Sequence, residues 1–273
     1  SVKYGEISGM PHMTYCGSAG FDLYYEDENG MRFKNIFMPS SHGATGYENI
    51  INLPDSKMRE ITINMPLYIQ VSNVYIGLDE NAEILPPRDY KISKPIVYYG
   101  SSITQGGCAS RPGMAYPAII SRALDCDFIN LGVSGNAKGE QTMADYIKSL
   151  DMSLFVMDYD ANAGTPEHLE ATHYKMYEAI RKAQPQLSIL MVSYHGYYLS
   201  EGMQKRRDII KRNYEQAKAN GDKNVYFIPG DSLMGDIIKE EGTVDNLHLT
   251  DLGFFQMAQK LIPVIKEMFS NMN

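Results

Sequence analysis

The first third of the chain alternates apolar and polar positions in short runs, which is the pattern of β-strands. The runs FDLYYED (21–27) and MRFKNIFM (31–38) flank Asn29-Gly30. Asn-Gly between two such runs predicts a hairpin, because both central residues tolerate positive φ. Three further runs of the same kind are ENIINLP, REITINMPLYI and NVYIGLD. Residues 1–92 lack helical periodicity, so the pattern predicts an all-β sandwich of the jelly-roll type.

Beyond residue 92 the pattern changes to apolar strands that alternate with amphipathic helices. The five apolar runs are PIVYYG (95–100), DFINLG (127–132), SLFVMDYD (153–160), LSILMVS (187–193) and NVYFIPG (224–230). Strands that are apolar on both faces are typical of a parallel sheet covered by helices on both sides. We therefore expect a β-sandwich accessory domain over residues 1–92 and an α/β domain over residues 93–273.

Two helices of the second domain can be placed from their apolar periodicity. Apolar residues three or four positions apart predict a helix over about 165–183, with Leu169 and Met176 on its buried face. Thr250 is predicted to be the N-cap of the last helix. Five residues of this last helix are expected to be buried, namely Phe254, Met257, Leu261, Ile265 and Met268.

Residues that can carry chemistry follow the strands of the predicted sheet. Ser102 in GSSIT follows the first strand, Gly135 in GVSGN the second, and Asn162 in DYDANA the third. Asp245 and His248 in DNLH precede the last helix. Because sites in parallel sheets form at the carboxyl ends of strands, these residues are expected to converge. A hydroxyl, a base with an acid beside it and neutral hydrogen-bond donors are the parts required for acyl transfer.

In their order along the chain, these segments resemble the sequence blocks of the SGNH/GDSL hydrolase superfamily. The resemblance covers roughly residues 93–270 and implies a flavodoxin-like three-layer αβα fold with a five-stranded parallel sheet. The segments YYGSSITQGGCASRPG and MDYDANAG resemble a branch that carries a β-sandwich in front of the hydrolase domain. This agrees with the β-pattern of the first 92 residues.

The same resemblance implies a role for each site residue. Ser102 matches the nucleophile, His248 the base and Asp245 the acid that orients the base. The oxyanion hole would consist of the N–H groups of Ser102 and Gly135 and the side-chain amide of Asn162.

A literal GDSL sequence is also present, at residues 230–233. Its Ser232 follows the last strand, so no glycine turn or asparagine strand end remains downstream to complete an oxyanion hole. Ser102 has all its partners downstream in the family order. We therefore predict that Ser102 is the nucleophile, and that Gly230-Asp231-Ser232 ends a strand and caps the helix that follows.

Two departures from the family pattern adjoin the predicted site. Ser101 stands where the GDS block has Asp, and Asp160-Ala161 stands where many members have Gly-Gly. Both replacements are expected to change local hydrogen bonding without changing the identity of the nucleophile.

Two other residues are candidates for substrate binding. Arg111 is either a salt-bridged surface residue or a cation that faces the substrate near Ser102. His195 follows the fourth strand and could line the pocket; it could also replace His248 as the base, although no acid adjoins it in sequence. His173 lies close to the apolar stripe of its helix and is interpreted as a core histidine.

Composition narrows the class of protein. The net charge of −8 argues against a nucleic-acid partner, because non-specific binding to phosphates requires basic surface. Cys16, Cys108 and Cys126 show no CxxC spacing, so neither a disulfide framework nor a zinc site is indicated. No apolar run approaches the ~20 residues needed to span a bilayer. No signal peptide is visible, but the chain does not begin with Met. A periplasmic or secreted location with the signal removed therefore stays open.

The resemblance implies a serine esterase that hydrolyses small acyl esters, with acetyl groups on carbohydrate as the first expectation. No metal or organic cofactor is expected, the substrate is a small-molecule or glycan ester, and the oligomeric state stays open. The alternatives are a short-chain lipase or thioesterase of the same fold, and a non-catalytic glycan-binding protein. The complete set of Ser, Gly, Asn, Asp and His favours an enzyme.

Overall fold

Two small antiparallel sheets precede a five-stranded parallel sheet in the computed structural model, which describes residues 2–4, 10–40, 44–196, 198–235 and 239–271. The antiparallel strands are β1 (Val2–Tyr4), β2 (Phe21–Asp27), β3 (Gly30–Phe37), β4 (Gly46–Tyr47), β5 (Ile61–Asn64) and β6 (Val71–Val74). Their orders are β4-β1-β6 and β3-β2-β5. Val2 and Tyr47 of the first sheet share an apolar cluster with Phe21 of the second, so the two sheets pack face to face.

The predicted hairpin is present, but its turn lies one residue earlier than expected. Asp27 pairs with Gly30, so the two-residue loop is Glu28-Asn29 rather than Asn29-Gly30. Gly30 adopts a φ of +96°, which a residue with a side chain rarely adopts. The predicted strand ENIINLP is wrong: it forms no strand, and Ile50 is 84% exposed.

Two other predicted β runs are much shorter in the structure. From REITINMPLYI only β5 forms, and Pro66, which has no N–H to donate, lies just beyond its end. From NVYIGLD only the first residues belong to a strand, because β6 ends at Val74. Residues 75–90 contain neither helix nor strand.

The five-stranded parallel sheet was predicted correctly. Its strands are β7 (Ile92–Gly100), β8 (Cys126–Gly132), β9 (Leu154–Asp158), β10 (Ser188–Val192) and β11 (Val225–Ile228). All neighbours are parallel in the order β11-β10-β9-β7-β8, which is the flavodoxin-like order. In this order the chain reverses its direction of winding between β7 and β9, and ligand sites form outside the carboxyl ends of the strands at such a point.

Helices cover both faces of this sheet. They are α2 (Ser102–Gln105), α3 (Tyr116–Leu124), α4 (Gln141–Ile147), α5 (Pro166–Ala183), α6 (Glu201–Ala219) and α7 (Asp251–Ser270), and a short α1 (Tyr15–Ser18) lies in the N-terminal part. Alternate residues of β7 point to opposite faces. Ile96 packs in the cluster that contains α3 and α7, and Val97 packs in the cluster that contains α4, α5 and α6.

Both predicted helices are confirmed. The helix expected over about 165–183 is α5, and Thr165 caps it by accepting a hydrogen bond from the N–H of His168. Thr250 caps α7 by accepting one from the N–H of Gly253, and the five residues predicted to be buried on α7 are each at most 1% exposed. Within the residues that the structure describes, no helix combines the length and the apolar character required to cross a bilayer.

Candidate active site

Ser102 is the first residue of α2, directly beyond the carboxyl end of β7. Gly100 permits this turn, because a Cβ at Gly100 would lie 1.9 Å from Oγ1 of Thr104 and 2.5 Å from the carbonyl oxygen of Asp158. Ser101 is fully buried, and its Oγ accepts a hydrogen bond from the N–H of Ile103. Ser and Asp are both preferred N-cap residues. Ser101 therefore supplies the helix cap at the position where the family block has Asp.

The hydroxyl of Ser102, the ring of His248 and the carboxylate of Asp245 form a continuous hydrogen-bonded line. Oγ of Ser102 is 3.0 Å from Nε2 of His248, although the two residues are 146 positions apart in the sequence. Nδ1 of the same ring is 2.8 Å from Oδ2 of Asp245. Because an ionised carboxylate only accepts hydrogen bonds, Nδ1 carries the ring proton. Nε2 is then the acceptor for the hydroxyl proton of Ser102.

The carboxylate of Asp245 also stabilises the loop that carries His248. Oδ1 of Asp245 accepts hydrogen bonds from the N–H groups of Leu247 and His248, at 3.1 and 2.7 Å. Burial acts to raise the pKa of the Asp245 carboxyl, but the hydrogen bonds from the backbone and the ring of His248 outweigh it and lower the pKa to about 2. Asp245 is therefore ionised at neutral pH, which is the state that orients a histidine base.

The three predicted oxyanion donors lie beyond β7, β8 and β9. Gly135 has a φ of +72°, and no atom lies within 4 Å of the position that a Cβ would take. Oδ1 of Asn162 accepts a hydrogen bond from the N–H of Ala137 at 3.4 Å, which leaves Nδ2 as the donor of this amide. Among the described residues, no acceptor is found for Nδ2 of Asn162 or for the N–H groups of Ser102 and Gly135.

The side chain of Gln105 joins the segments around Ser102, a contact that the sequence did not reveal. Its Oε1 accepts a hydrogen bond from the N–H of Ser134, in the turn that contains Gly135. Its Nε2 donates to the carbonyl of Leu67 in the N-terminal part. This side chain at the end of α2 thus connects the segment of Ser102 both to the turn that contains Gly135 and to the N-terminal part.

Two buried acids lie at the carboxyl end of β9. Oδ2 of Asp158 accepts hydrogen bonds from the hydroxyls of Thr104 and Tyr116, each at 2.9 Å, and burial raises the pKa of this carboxyl to about 7. Asp160 pairs with Arg206 of α6 and accepts a hydrogen bond from the N–H of Tyr194. Burial raises the pKa of Asp160, and the charge of Arg206 opposes that shift. The Asp160 departure from the family pattern is thus accommodated by a buried ion pair.

His195 lies beneath the loop of the predicted base instead of replacing that base. His195 is 4% exposed, and its Nε2 donates a hydrogen bond to the carbonyl of Leu247 at 2.9 Å. Burial lowers the pKa of His195 to about 4, although the hydrogen bond to Leu247 opposes the shift. The hydroxyl of Tyr194 donates to the carbonyl of Asn246 in the same loop. These contacts favour a bracing role over the predicted pocket-lining role.

Arg111 follows the salt-bridged alternative, with a partner in the N-terminal part. Its Nη1 donates to Oδ2 of Asp22 at 2.9 Å and to the hydroxyl of Tyr24, and its guanidinium lies 3.8 Å from the ring centre of Phe33. Asp22 is fully buried and also accepts a hydrogen bond from the N–H of Gly113. These contacts do not favour the predicted role as a free cation that faces the substrate. The signal in the sequence was an acid inside the apolar run FDLYY.

The N-terminal part also contacts His248, which the sequence did not indicate. The ring of His12 lies 5.1 Å from the ring of His248, measured between centroids and at a tilt of 36°. The hydroxyl of Tyr68 lies 3.5 Å from the carbonyl oxygen of Ser102. No local pattern around His12 points to this contact, because it depends on how two distant segments pack.

Ser232 of the literal GDSL sequence lies away from this constellation. It belongs to a 3₁₀ turn after β11, the edge strand that β9 and β10 separate from β7. Its side chain is exposed, and Oγ donates to the carbonyl of Pro229 at 2.7 Å. The prediction that Gly230-Asp231-Ser232 ends a strand and caps a following helix is wrong, because β11 ends at Ile228 and these three residues form the 3₁₀ turn itself. The prediction that His173 belongs to the core is confirmed, at 1% exposure, and Cys126 is fully buried as well.

A surface cavity of about 760 Å³ lies elsewhere, at the amino ends of the strands. It is lined by residues of α5, the end of α6 and the loop before β11, including Tyr177, Arg181 and Asp222. None of the predicted site residues lines it. The candidate chemistry is therefore at the opposite edge of the sheet.

Comparison with known protein families gives two matches. A model described as "GDSL-like Lipase/Acylhydrolase family" matches residues 93–266, which is more than half of the chain. A second model, described as "N-terminus of Esterase_SGNH_hydro-type", matches residues 1–84. A search of curated proteins found no match.

Several solved structures are similar over 98% of this chain. One, from Bacteroides ovatus and classed as a GDSL-like lipase, is 29% identical over 80% of its own chain, with a TM-score of 0.89. The salicylyl-acyltransferase SsfX3 of a tetracycline biosynthetic pathway is 18% identical over 78% of its chain, with a TM-score of 0.76. A family two carbohydrate esterase from Clostridium thermocellum, solved with cellohexaose, is 14% identical over 89% of its chain, with a TM-score of 0.66. The last two likenesses concern the fold alone.

Proposed function

This chain belongs to the GDSL-like lipase/acylhydrolase family and is a carboxylic ester hydrolase, and we propose that it cleaves small acyl esters through Ser102, His248 and Asp245. The observation that carries the proposal is the unbroken line from Oγ of Ser102 to Nε2 of His248 and from Nδ1 to Asp245, with spacings of 3.0 and 2.8 Å. These are hydrogen-bond distances between a hydroxyl, a base and an orienting acid.

The chemistry follows from the protonation states. Nε2 of His248 removes the proton of the Ser102 hydroxyl as Oγ attacks the ester carbonyl carbon. Collapse of the tetrahedral intermediate expels the alcohol, which takes the proton from the imidazolium, and leaves the acyl group on Ser102. Water then attacks the acyl-enzyme with His248 again as the base; the bond between Oγ and the acyl carbon breaks, Oγ takes the proton back from the imidazolium, and the acid product departs. The charge of Asp245 stabilises the imidazolium in both steps.

Stabilisation of the tetrahedral oxyanion is assigned to three neutral donors. They are the N–H groups of Ser102 and Gly135 and Nδ2 of Asn162, for which no protein acceptor is found among the described residues. Donors already in place need no reorganisation when charge develops on the oxygen, and loss of one typically costs ~10²–10³-fold in rate. Oδ1 of Asn162 is held by Ala137, so Nδ2 keeps its orientation without the substrate.

The proposed substrate is an acetyl ester of a carbohydrate. Its support is the likeness in fold to family two carbohydrate esterases, one of which was solved with cellohexaose, and the resemblance of the sequence to an esterase branch with an N-terminal β-sandwich. The N-terminal part packs against the predicted site through His12 and Tyr68, so it lies where the alcohol part of an ester could contact it.

The substrate proposal is tested by comparing acyl and alcohol groups separately. Hydrolysis of p-nitrophenyl acetate, butyrate and octanoate is expected to fall in that order. Acetylated cello- and xylo-oligosaccharides, with released acetate as the readout, are expected to give a higher kcat/KM than p-nitrophenyl acetate. Butyrate preferred over acetate would support the short-chain lipase alternative, and a preference for either longer chain would contradict the acetyl assignment. Binding of oligosaccharide without hydrolysis of any ester would support the glycan-binding alternative.

A further inference from the structure

We propose that His12, Cys108 and His248 form a binding site for Zn²⁺, and that Zn²⁺ bound there switches off the esterase by occupying its base. The site itself is independent of the reaction. The inhibition rests on the proposed function, because it requires His248 to be the base.

The three side chains approach one another closely. One ligand atom from each of them, an imidazole nitrogen or the thiol sulfur, lies within 4.8 Å of the other two. Tetrahedral Zn²⁺, with bonds of about 2.0–2.3 Å to nitrogen and sulfur, places its ligand atoms about 3.3–3.6 Å apart. A contraction of at most about 1.5 Å, within the reach of side-chain rotation, therefore closes the site.

Each ligand comes from a separate segment that other contacts hold in place. Thr14, two residues after His12, donates from Oγ1 to the carbonyl of Ser110 at 3.0 Å. Cys108 has a φ of +70°, which is uncommon for a residue with a side chain. The tight turn before Cys108 is closed by the N–H of Gly107, which donates to the carbonyl of Ser102 at 2.7 Å. The N-terminal part and the turn after α2 thus present their two ligands to the loop of His248.

The donor atoms of the two additional residues are available. Nε2 of His12 is buried and has no hydrogen-bond partner in the described part of the chain. Cys108 is not part of a disulfide. A bound ion has to displace the proton of this thiol, because the thiolate is the form that binds a metal. The carboxylate of Asp245, which is hydrogen-bonded to Nδ1 of His248, places a negative charge beside one of the three ligands.

The chemistry of the three ligands selects the metal. Two imidazoles and one thiolate suit Zn²⁺, which takes nitrogen and sulfur ligands and leaves its fourth position to water. Mg²⁺ and Ca²⁺ prefer oxygen ligands, and they are not expected to bind. Zn²⁺ is therefore the probe for this site.

Occupancy of the site is incompatible with base catalysis. Nδ1 of His248 is engaged by Asp245, so the free lone pair of the ring is on Nε2. This is the lone pair that takes the proton of Ser102. A metal ion that binds Nε2 takes the lone pair, and the Ser102 hydroxyl then has no acceptor for its proton.

Binding is measured first, by calorimetric titration of ZnCl₂ into metal-free protein. Wild type and Ser102→Ala are both expected to bind one ion per chain, because Ser102 is not a ligand. His12→Gln and Cys108→Ser are each expected to weaken binding roughly tenfold or more, since even loss of an outer-shell partner typically costs 10–100-fold. Cys16→Ser is the matched control, because Cys16 is also a half-buried free thiol but lies outside the cluster. Thermal melting verifies that each variant is folded.

The second readout uses Co²⁺, which reports ligands spectroscopically. A thiolate-to-cobalt charge-transfer band in the near ultraviolet is expected in wild type and Cys16→Ser and is expected to be absent in Cys108→Ser. Two results would overturn the proposed site. One is that folded Cys108→Ser and His12→Gln bind Zn²⁺ as tightly as wild type does; the other is that wild type does not bind Zn²⁺. The calorimetric titration and the cobalt spectroscopy do not depend on catalytic turnover. They therefore test the metal site even if the proposed esterase function is wrong.

The switch is measured by ester hydrolysis in Zn²⁺-buffered solutions, each variant relative to its own metal-free rate. Wild type is expected to lose activity with the midpoint found by calorimetry, and excess EDTA is expected to restore it. His12→Gln and Cys108→Ser are expected to require at least roughly tenfold more Zn²⁺ for the same fractional loss of activity. Zn²⁺ binding without inhibition, or loss of activity on EDTA treatment alone, would overturn the switch.

Discussion

The guanidinium of Arg111 donates a hydrogen bond from Nη1 to Oδ2 of Asp22 across 2.9 Å, and this ion pair joins the two parts of the chain. Arg111 lies in the turn after α2, and Asp22 lies in β2 with its side chain fully buried. The contact connects an accessory sheet to the segment that carries Ser102. The N-terminal part is therefore fixed against the hydrolase part at the edge of the sheet where the predicted site lies.

We expect Arg111→Met to destabilise the protein and to leave KM for p-nitrophenyl acetate nearly unchanged. Removing one partner of a buried ion pair leaves the other charge uncompensated, at a cost of roughly 3–5 kcal/mol. Urea unfolding measures the loss, and Asp22→Asn in the same chain is expected to recover part of it. A raised KM at unchanged stability would instead support the substrate-facing role that the sequence left open for Arg111.

Ser102→Ala should lower kcat roughly 10⁴-fold or more. Among the described residues, no other hydroxyl is hydrogen-bonded to Nε2 of His248. Ser232→Ala is the matched control and should retain nearly full activity, since Ser232 is an exposed serine bonded to Pro229. Hydrolysis of p-nitrophenyl acetate measures both. The opposite result would falsify the assignment of the nucleophile.

Asn162→Ala is expected to lower kcat by ~10²-fold with little change in KM, because an oxyanion donor acts only in the transition state. The backbone around Asn162 should persist in the variant, since its carbonyl accepts a hydrogen bond from Nζ of Lys138 and its N–H donates to Tyr159. Steady-state kinetics separate the two constants. If KM rises while kcat is unchanged, Asn162 binds the substrate in its ground state.

The buried carboxyl of Asp158 should make the protein less stable as the pH rises. Its pKa is raised from 3.8 to about 7 by burial, so the folded state holds a proton that the unfolded state has lost. The stabilisation is complete below about pH 4 and is lost as the pH rises to about 7. In Asp158→Asn this dependence should disappear, so the variant should gain stability relative to wild type, by up to a few kcal/mol, between pH 4.5 and 7.5. Parallel stability curves would contradict this.

The buried ring of His173 should act in the opposite direction. Burial lowers its pKa from 6.5 to about 3, so the folded state keeps the ring neutral where the unfolded state protonates it. The stabilisation of the folded state that depends on this neutral ring is complete above about pH 6.5 and is lost as the pH falls toward 3. His173→Gln, which can still accept a hydrogen bond from Asn213, should lose less stability than wild type between pH 7 and 4. Urea unfolding at several pH values measures this, and an unchanged slope would mean that His173 is not held neutral.

Local pattern was sufficient for the hydrolase part of the fold. The five apolar runs became the five strands, and Thr250 caps α7 as its residue type and position indicated. A parallel sheet brings the carboxyl ends of its strands to one edge, so the order of the blocks predicts that Ser102 and His248 lie at that edge. In the accessory part, ENIINLP and the end of NVYIGLD failed as strands, because alternation alone does not supply a neighbouring strand to pair with.

Contacts between distant segments were decided by the tertiary structure. Three contacts join residues that share no local pattern. They are the ion pair of Arg111 with Asp22, the ring contact of His12 with His248, and the hydrogen bond of His195 to Leu247 in the DNLH loop. Periodicity reports which face of an element is buried, whereas a hydrogen-bond partner depends on how separate elements pack. Residue types and their order therefore determined the sheet and the predicted chemistry, and packing decided which side chains meet around it.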